Sequence, residues 1–131
     1  MVQVTLTEID ALRAYARMMN TLDASHIELL LEDDFRYSSQ WMIGEISSKQ
    51  EFLDYIKPLL LSIKQSGGRA YAEIAVIQAW GHNECVVTAE DDKDNLIATV
   101  FVKVKDEKIR RIDMCCMPHP SETMRTGEYP S

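Results

Sequence analysis

From Gly67-Gly68 onward the apolar pattern of this chain keeps a period of two, and that switch limits the fold more than any other feature. Upstream, apolar side chains recur every three or four residues, the spacing of a helix face; downstream they alternate, the spacing of a strand. Ile9, Leu12, Tyr15, Ala16, Met19 and Leu22 form one helical stripe, and Phe52, Leu53, Ile56, Leu59, Leu60 and Ile63 form another. Beyond the glycines, β-branched residues accumulate in four runs, about Ala70–Trp80, Glu84–Glu90, Leu96–Lys105 and Ile109–Cys116. The links between them, Gly81-His82-Asn83, Asp91 to Asn95 and Asp106-Glu107-Lys108, carry turn residues and are short enough for antiparallel neighbours. Helices gathered early and strands late predict an α+β domain, with helices packed on one face of a curved, mainly antiparallel sheet.

Thr5 with Glu8, and Thr7 with Asp10, fit the capping box that satisfies orphan N–H groups, so the first helix is predicted from about Thr7 to Asn20. Asp23 and Ser25 open a short second helix, which Ile27, Leu30 and Leu31 carry to about Asp33, leaving Asp33 and Asp34 at its negative end. Phe35 to Trp41 then reads as a strand on which Phe35, Tyr37 and Trp41 share a face, the wall of a pocket. Met42 to Ile46 forms a short partner or loop around Gly44, and Ser47-Ser48 starts the third helix. Pro58 falls inside that helix at a cost on the order of 3 kcal/mol, which predicts a kink near Asp54–Pro58 or two stacked segments. Residues 118–131 hold Pro118, Pro120, Gly127 and Pro130 with few apolar side chains, and read as a frayed or surface tail after a single domain spanning 1–117.

Composition removes several function classes. The net charge is −7 with no Lys/Arg cluster, which speaks against nucleic acid as a partner. The first residues lack a basic and then apolar leader, and Leu59-Leu60-Leu61 is the longest apolar run, so neither secretion nor a membrane span is expected. Three cysteines, with Cys115 and Cys116 adjacent, form no disulfide framework and no CxxC pair; a reduced, cytoplasmic protein is the default. There is no P-loop, G-x-G-x-x-G, G-x-S-x-G or H-E-x-x-H, and the acidic loop Asp91–Asn95 lacks the EF-hand spacing. No cofactor and no metal are expected.

Four stretches carry a resemblance across about Leu6 to Met117: Ala14-Tyr15-Ala16, Leu31-Glu32-Asp33-Asp34-Phe35, Ser48-Lys49-Gln50-Glu51-Phe52-Leu53, and Asp106-Glu107-Lys108-Ile109-Arg110-Arg111-Ile112. With the element order, they resemble the nuclear transport factor 2-like (cystatin-like) superfamily and, within it, the SnoaL-like group. The resemblance implies a cone-shaped α+β barrel in which three N-terminal helices close a curved sheet and leave an open mouth for a small molecule. That superfamily holds ketosteroid isomerases, polyketide cyclases, dehydratases, epoxide hydrolases and non-catalytic modules, so the fold alone assigns no chemistry. By resemblance to ketosteroid isomerase, the oxyanion tyrosine falls on Tyr15, the carboxylate base on Ser39 and the oxyanion aspartic acid on Phe101. A serine hydroxyl cannot hold a proton taken from carbon at neutral pH, which argues against steroid-type isomerisation. The dehydratase pattern needs inward histidines, whereas His26 begins a helix, His82 sits in a turn and His119 lies past the last strand. The epoxide-hydrolase pattern needs an interior Asp-Arg-Asp set; the same alignment turns Ile112, Met114 and Cys116 inward and leaves Arg111 and Asp113 as an outer-face ion pair.

These readings give a candidate pocket of Tyr15, Met19, Phe35, Tyr37, Ser39, Trp41, Tyr55, Phe101 and Met114, with Tyr15 the single catalytic candidate. Each has a plainer alternative: a core tyrosine bonded to a carbonyl for Tyr15, ordinary strand packing for Tyr37, Ser39 and Trp41, a surface ring for Tyr55. Trp80 reads as a packing anchor, and Cys85, Cys115 and Cys116 as small buried hydrophobes. The expected function is binding of a small, largely apolar ligand without an acid–base pair. The alternatives are a SnoaL-like isomerase, cyclase or dehydratase using Tyr15 as hydrogen-bond donor, and a dimeric protein-interaction module. Ala98, Val100, Val102 and Val104 on one face of a strand, with Ile97, Thr99 and Phe101 on the other, call for cover on both sides and predict a homodimer through the sheet.

Overall fold

In the computed structural model, which describes residues 5–131, helix α1 (Glu8–Thr21) is followed by a single turn α2 (Ser25–Glu28) and strand β1 (Leu31–Ser39). The long helix α3 (Lys49–Gln65) leads into strands β2 (Ala70–Ala79), β3 (His82–Glu90), β4 (Leu96–Lys105) and β5 (Lys108–Cys115). A 3-10 turn at Pro120–Glu122 and a last strand β6 (Met124–Glu128) complete the chain. The six strands form one curved sheet in the order β1-β5-β4-β3-β2-β6, antiparallel except for the β1–β5 pair. This is an α+β fold with two long helices, the second expected helix being reduced to a single turn. The third helix lies between β1 and β2, so the helices do not all precede the sheet. Among the described residues no helix is long and apolar enough to cross a membrane.

Local chemistry explains most boundaries. Thr7, not Thr5, caps α1: its hydroxyl accepts from the Asp10 N–H at 3.2 Å while the Asp10 carboxylate accepts from the Thr7 N–H. Ser48 caps α3 by accepting from the Glu51 N–H at 3.1 Å. Pro58 sits within one continuous α3, not between two stacked segments. Gly67, in the left-handed region at φ +74°, ends the helix, and the Gly68 N–H returns to the Ile63 carbonyl at 3.1 Å.

Two expectations around β1 fail. The second helix stops at Glu28 because the Leu30 carbonyl is taken by the Ile109 N–H at 2.7 Å, and Leu31 pairs with Ile109 as the first residue of β1. Asp33 and Asp34 are therefore exposed strand residues, not a helix terminus. At the other end β1 stops at Ser39, whose hydroxyl accepts from the Trp41 N–H and whose carbonyl accepts from the Met42 N–H. That local turn outcompetes two more residues of strand and leaves Trp41 57% exposed. The β2–β3 turn also shifts, to Trp80-Gly81 with both residues left-handed, so His82 starts β3 rather than sitting in the turn.

The sheet is covered on both faces. Leu12, Tyr15 and Ala16 of α1 and Phe52, Leu53 and Ile56 of α3 meet Ile74, Val86, Val100, Val102 and Ile112 on the inner face. On the outer face Ala75, Ile77, Cys85, Val87, Phe101 and Cys115 form a second buried cluster. Trp80 and His82 pack on its Phe101 ring at 5.4 and 5.0 Å, and part of its cover is the chain's own C-terminal segment. After β5 the Thr99 hydroxyl of β4 donates to the Pro118 carbonyl at 2.8 Å, Pro120 is buried, and the 3-10 turn packs on β4 before β6 joins the free edge of β2. The expected frayed tail is thus part of the sheet. Its anchors are polar, which is why apolar content did not reveal it. The carboxylate of Glu73, 3% exposed, accepts from Arg125 Nε and the Gly127 N–H, both at 2.7 Å, and from the Tyr129 hydroxyl at 3.1 Å. Asn20 of α1 donates to the Ala72 and Pro130 carbonyls at 2.8 and 2.7 Å.

Two outcomes follow from this covering. Arg125→Ala leaves the buried Glu73 carboxylate without its cation and should cost about 2 kcal/mol. Loss of the exposed Arg13–Glu128 pair in Arg13→Ala should cost less than about 1 kcal/mol; urea denaturation midpoints separate the two, and equal losses would contradict the assignment. Burial also pushes the Cys85 thiol up to about 12 and the Cys115 thiol up to about 11. The nucleophilic thiolates appear only above those values, so a disulfide reagent near pH 8 should titrate only Cys116 in the native protein and all three cysteines after unfolding.

Candidate functional site

Between α1, α3 and the inner sheet face lies a cavity of about 330 Å³. Each wall follows from the pattern of its element. The helical stripe of α1 presents Tyr15 and Met19, β1 presents Tyr37, and α3 contributes Phe52, Tyr55, Ile56, Leu59 and Ile63. The floor is the sheet: Ala70 of β2, Thr88 and Ala89 of β3, Ile97 of β4 and Met114 of β5. Small residues make the space. Ala70, Thr88 and Ala89 do not reach α3 where Val86, Val100 and Ile112 fill the core further along.

The interior is apolar apart from hydroxyls. The Tyr37 ring packs 5.1 Å from Phe52 and 5.8 Å from Tyr55, and its hydroxyl lies 3.7 Å from the Met114 sulfur. Tyr15 is only 2% exposed, and its hydroxyl makes no hydrogen bond among the described residues. Yet no fully buried polar side-chain atom among them lacks a partner, so this hydroxyl opens onto the cavity rather than being sealed in the core. Burial pushes the phenols of Tyr15 and Tyr37 well above the usual tyrosine range, with the neighbouring tyrosines adding to the shift. Both remain neutral donors at physiological pH. Charges border the cavity only on its outer margin, at Arg69, Glu90 and Asp91, where the Asp91 carboxylate accepts from the Arg69 N–H at 3.1 Å.

Of the nine residues singled out by sequence, Tyr15, Met19, Tyr37, Tyr55 and Met114 lie on the cavity. Four do not. Phe35 is wholly buried behind Phe52, edge to face at 5.0 Å, and Ser39 is spent on its turn. Trp41 left the wall when β1 ended early. Phe101 faces the other way: it pairs with Asp113, while Val100 pairs with Met114 and Val102 with Ile112 on the helix side. Ile97, missed by sequence, reaches the cavity because the β3–β4 register slips between the pairs Thr88–Ala98 and Ala89–Leu96. That irregularity inverts strand alternation and carries no residue signal. Phe52, Ile56, Leu59 and Ile63 were visible as a helical stripe, but the stripe does not say which members meet a void.

The remaining candidate chemistry lies elsewhere. Arg111 bonds Asp113 at 2.9 and 3.0 Å and also engages Glu45 and Ser38, an outer-face ion cluster. The His82 ring lies tilted against Phe101 at 5.0 Å, His119 accepts from the Ser121 N–H in the 3-10 turn, and His26 lies near Asp23; none lines the cavity. Among the described residues no group of three or more His, Cys, Asp or Glu side chains is placed to hold a metal ion.

No protein-family model matches the sequence, and no curated protein is detectably similar to it. Solved structures do match. A nuclear transport factor 2-like protein of unknown function from Cytophaga hutchinsonii superposes with a TM-score of 0.60 at 10% identity, covering 86% of this chain and 92% of that one. A de novo designed protein with a curved β-sheet gives 0.60 at 14%, covering 84% and 87%. An LEH-like epoxide hydrolase from M. tuberculosis gives 0.54 at 17%, covering 82% and 83%. At these identities the likeness concerns backbone architecture, not chemistry. The chain has the nuclear transport factor 2-like, or cystatin-like, fold.

Proposed function

We propose that this protein binds a small, largely apolar, uncharged molecule in the cavity between α1, α3 and the sheet. The observation that carries the reading is the Tyr15 hydroxyl, a buried donor without a partner among the described residues on an otherwise apolar wall. Such a group costs free energy until something accepts from it, and a ligand carbonyl, ether or hydroxyl beside it is the natural acceptor. Tyr37 supplies a second donor, and its thioether contact is weak enough to be exchanged for an oxygen. No cation lies inside to receive an anion. At about 330 Å³ the cavity suits a ligand at the small end of the usual range.

The neutral naphthyl ketone prodan, with one carbonyl acceptor, is a suitable probe. Its emission should shift blue and rise on binding, and Tyr15→Phe should weaken binding by roughly fivefold while leaving stability within about 0.5 kcal/mol, because that hydroxyl bonds none of the described residues. Unchanged affinity in Tyr15→Phe and Tyr37→Phe alike would remove both donors from the site. Because burial raises both phenols, affinity should stay flat from about pH 6 to about pH 9 and should not fall near the ordinary tyrosine value of about 10.

A second reading, acid–base turnover of the bound molecule, has one observation in its favour: Glu90 and Asp91 are carboxylates on the same cavity. Turnover that disappears in Glu90→Gln or Asp91→Asn, with prodan binding intact, would select it over binding alone.

A further inference from the structure

The two halves of α3 are held very differently. Before Pro58, Phe52, Leu53 and Ile56 are buried, Phe52 lies against the rings of Phe35 and Tyr37, and Lys57 pairs with Glu28 of α2. After Pro58, Leu60 is the one buried side chain, while Leu59 and Leu61 are exposed. Voids flank this second half on two sides. The ligand cavity lies against Leu59, Ile63 and Ser66, and a groove of about 300 Å³ separates Leu60, Leu61 and Lys64 from the α1–α2 link at Leu22 to Ser25.

Both ends of the segment carry residues that interrupt helical bonding. Proline has no N–H to donate to the Asp54 carbonyl one turn back, so the backbone ladder is broken where the well-packed half ends. Gly67 adopts a left-handed conformation at φ +74°, and a Cβ built there meets nothing within 4 Å, so the space around it is open. Between them lie about two helical turns that form one wall of the cavity and are anchored to the core mainly through Leu60.

We propose that residues 59–66 are a lid, which swings about Pro58 and Gly67 to admit the ligand while the first half of α3 stays docked on β1. The proposal rests on the binding reading above for its purpose, but the motion itself is tested without ligand. In hydrogen exchange on the unliganded protein, amides 59–66 should exchange at least roughly tenfold faster than amides 52–57. Equal protection along the whole helix would overturn the lid and leave the binding reading standing. Pro58→Ala restores the N–H for the Asp54 carbonyl and should slow exchange in 59–66 by roughly threefold to tenfold. Stopped-flow mixing with prodan should show association and dissociation slowed by similar factors, with affinity nearly unchanged, because the lid changes access and not contacts. Rates equal to those of the unsubstituted protein would also overturn it. If prodan fails to bind at all, the binding reading falls, and exchange in the two helix halves still decides the lid.

Discussion

The structure depends on one constraint: the central strands are apolar on both faces, and both faces must be removed from water. Neighbouring residues of β4 make the point, with Val100 and Val102 buried against the helices and Phe101 buried on the opposite side. On the inner side α1 and the first half of α3 supply the cover. On the outer side the C-terminal segment supplies part of it, held by the Glu73–Arg125 pair and the Thr99–Pro118 hydrogen bond. Val76, Trp80, Met117 and Met124 remain exposed apolar side chains in the single chain. The cavity is what remains where inner cover is thinnest, beneath the end of α3 and above Ala70, Thr88 and Ala89.

Much of the architecture was legible because it rests on periodicity. The helical stripe of α1, the capping residues Thr7 and Ser48, the Gly67 stop and the four meander strands all follow from local patterns, and strand limits differ by a few residues at most. What was not legible depends on competition between distant groups. Leu31 reads equally well as helix or strand until Ile109 is there to pair with it. The C-terminal strand is polar in sequence, and only a buried glutamate 52 residues away makes Arg125 an anchor. The faces of β4 were readable as two sets, but which set faces inward is fixed by the helices, and this misplaced Phe101.

The site was half legible for the same reason. Residues on regular elements, Tyr15, Met19, Tyr37, Tyr55 and Met114, were found because period places them. Trp41 and Ile97 were misjudged because a serine turn and a register slip override period. The chemistry sorts in a similar way. Every side chain with acid–base capability near neutral pH lies on the margin of the cavity or on another face, and the interior keeps phenols that burial holds protonated. Such an interior presents neutral donors and no strong charge.

The parallel pairing of β1 with β5 has a consequence for assembly. Tyr37 and Met114 touch across that pair although 77 residues separate them in the chain, and the elements between include α3 and the whole β2–β4 meander. Closing so long a loop costs entropy before the contact rewards it, so late formation is the expected order. No early folding species therefore owns a finished cavity, and occupancy of the cavity would report completion of the last strand pairing rather than formation of any single subdomain.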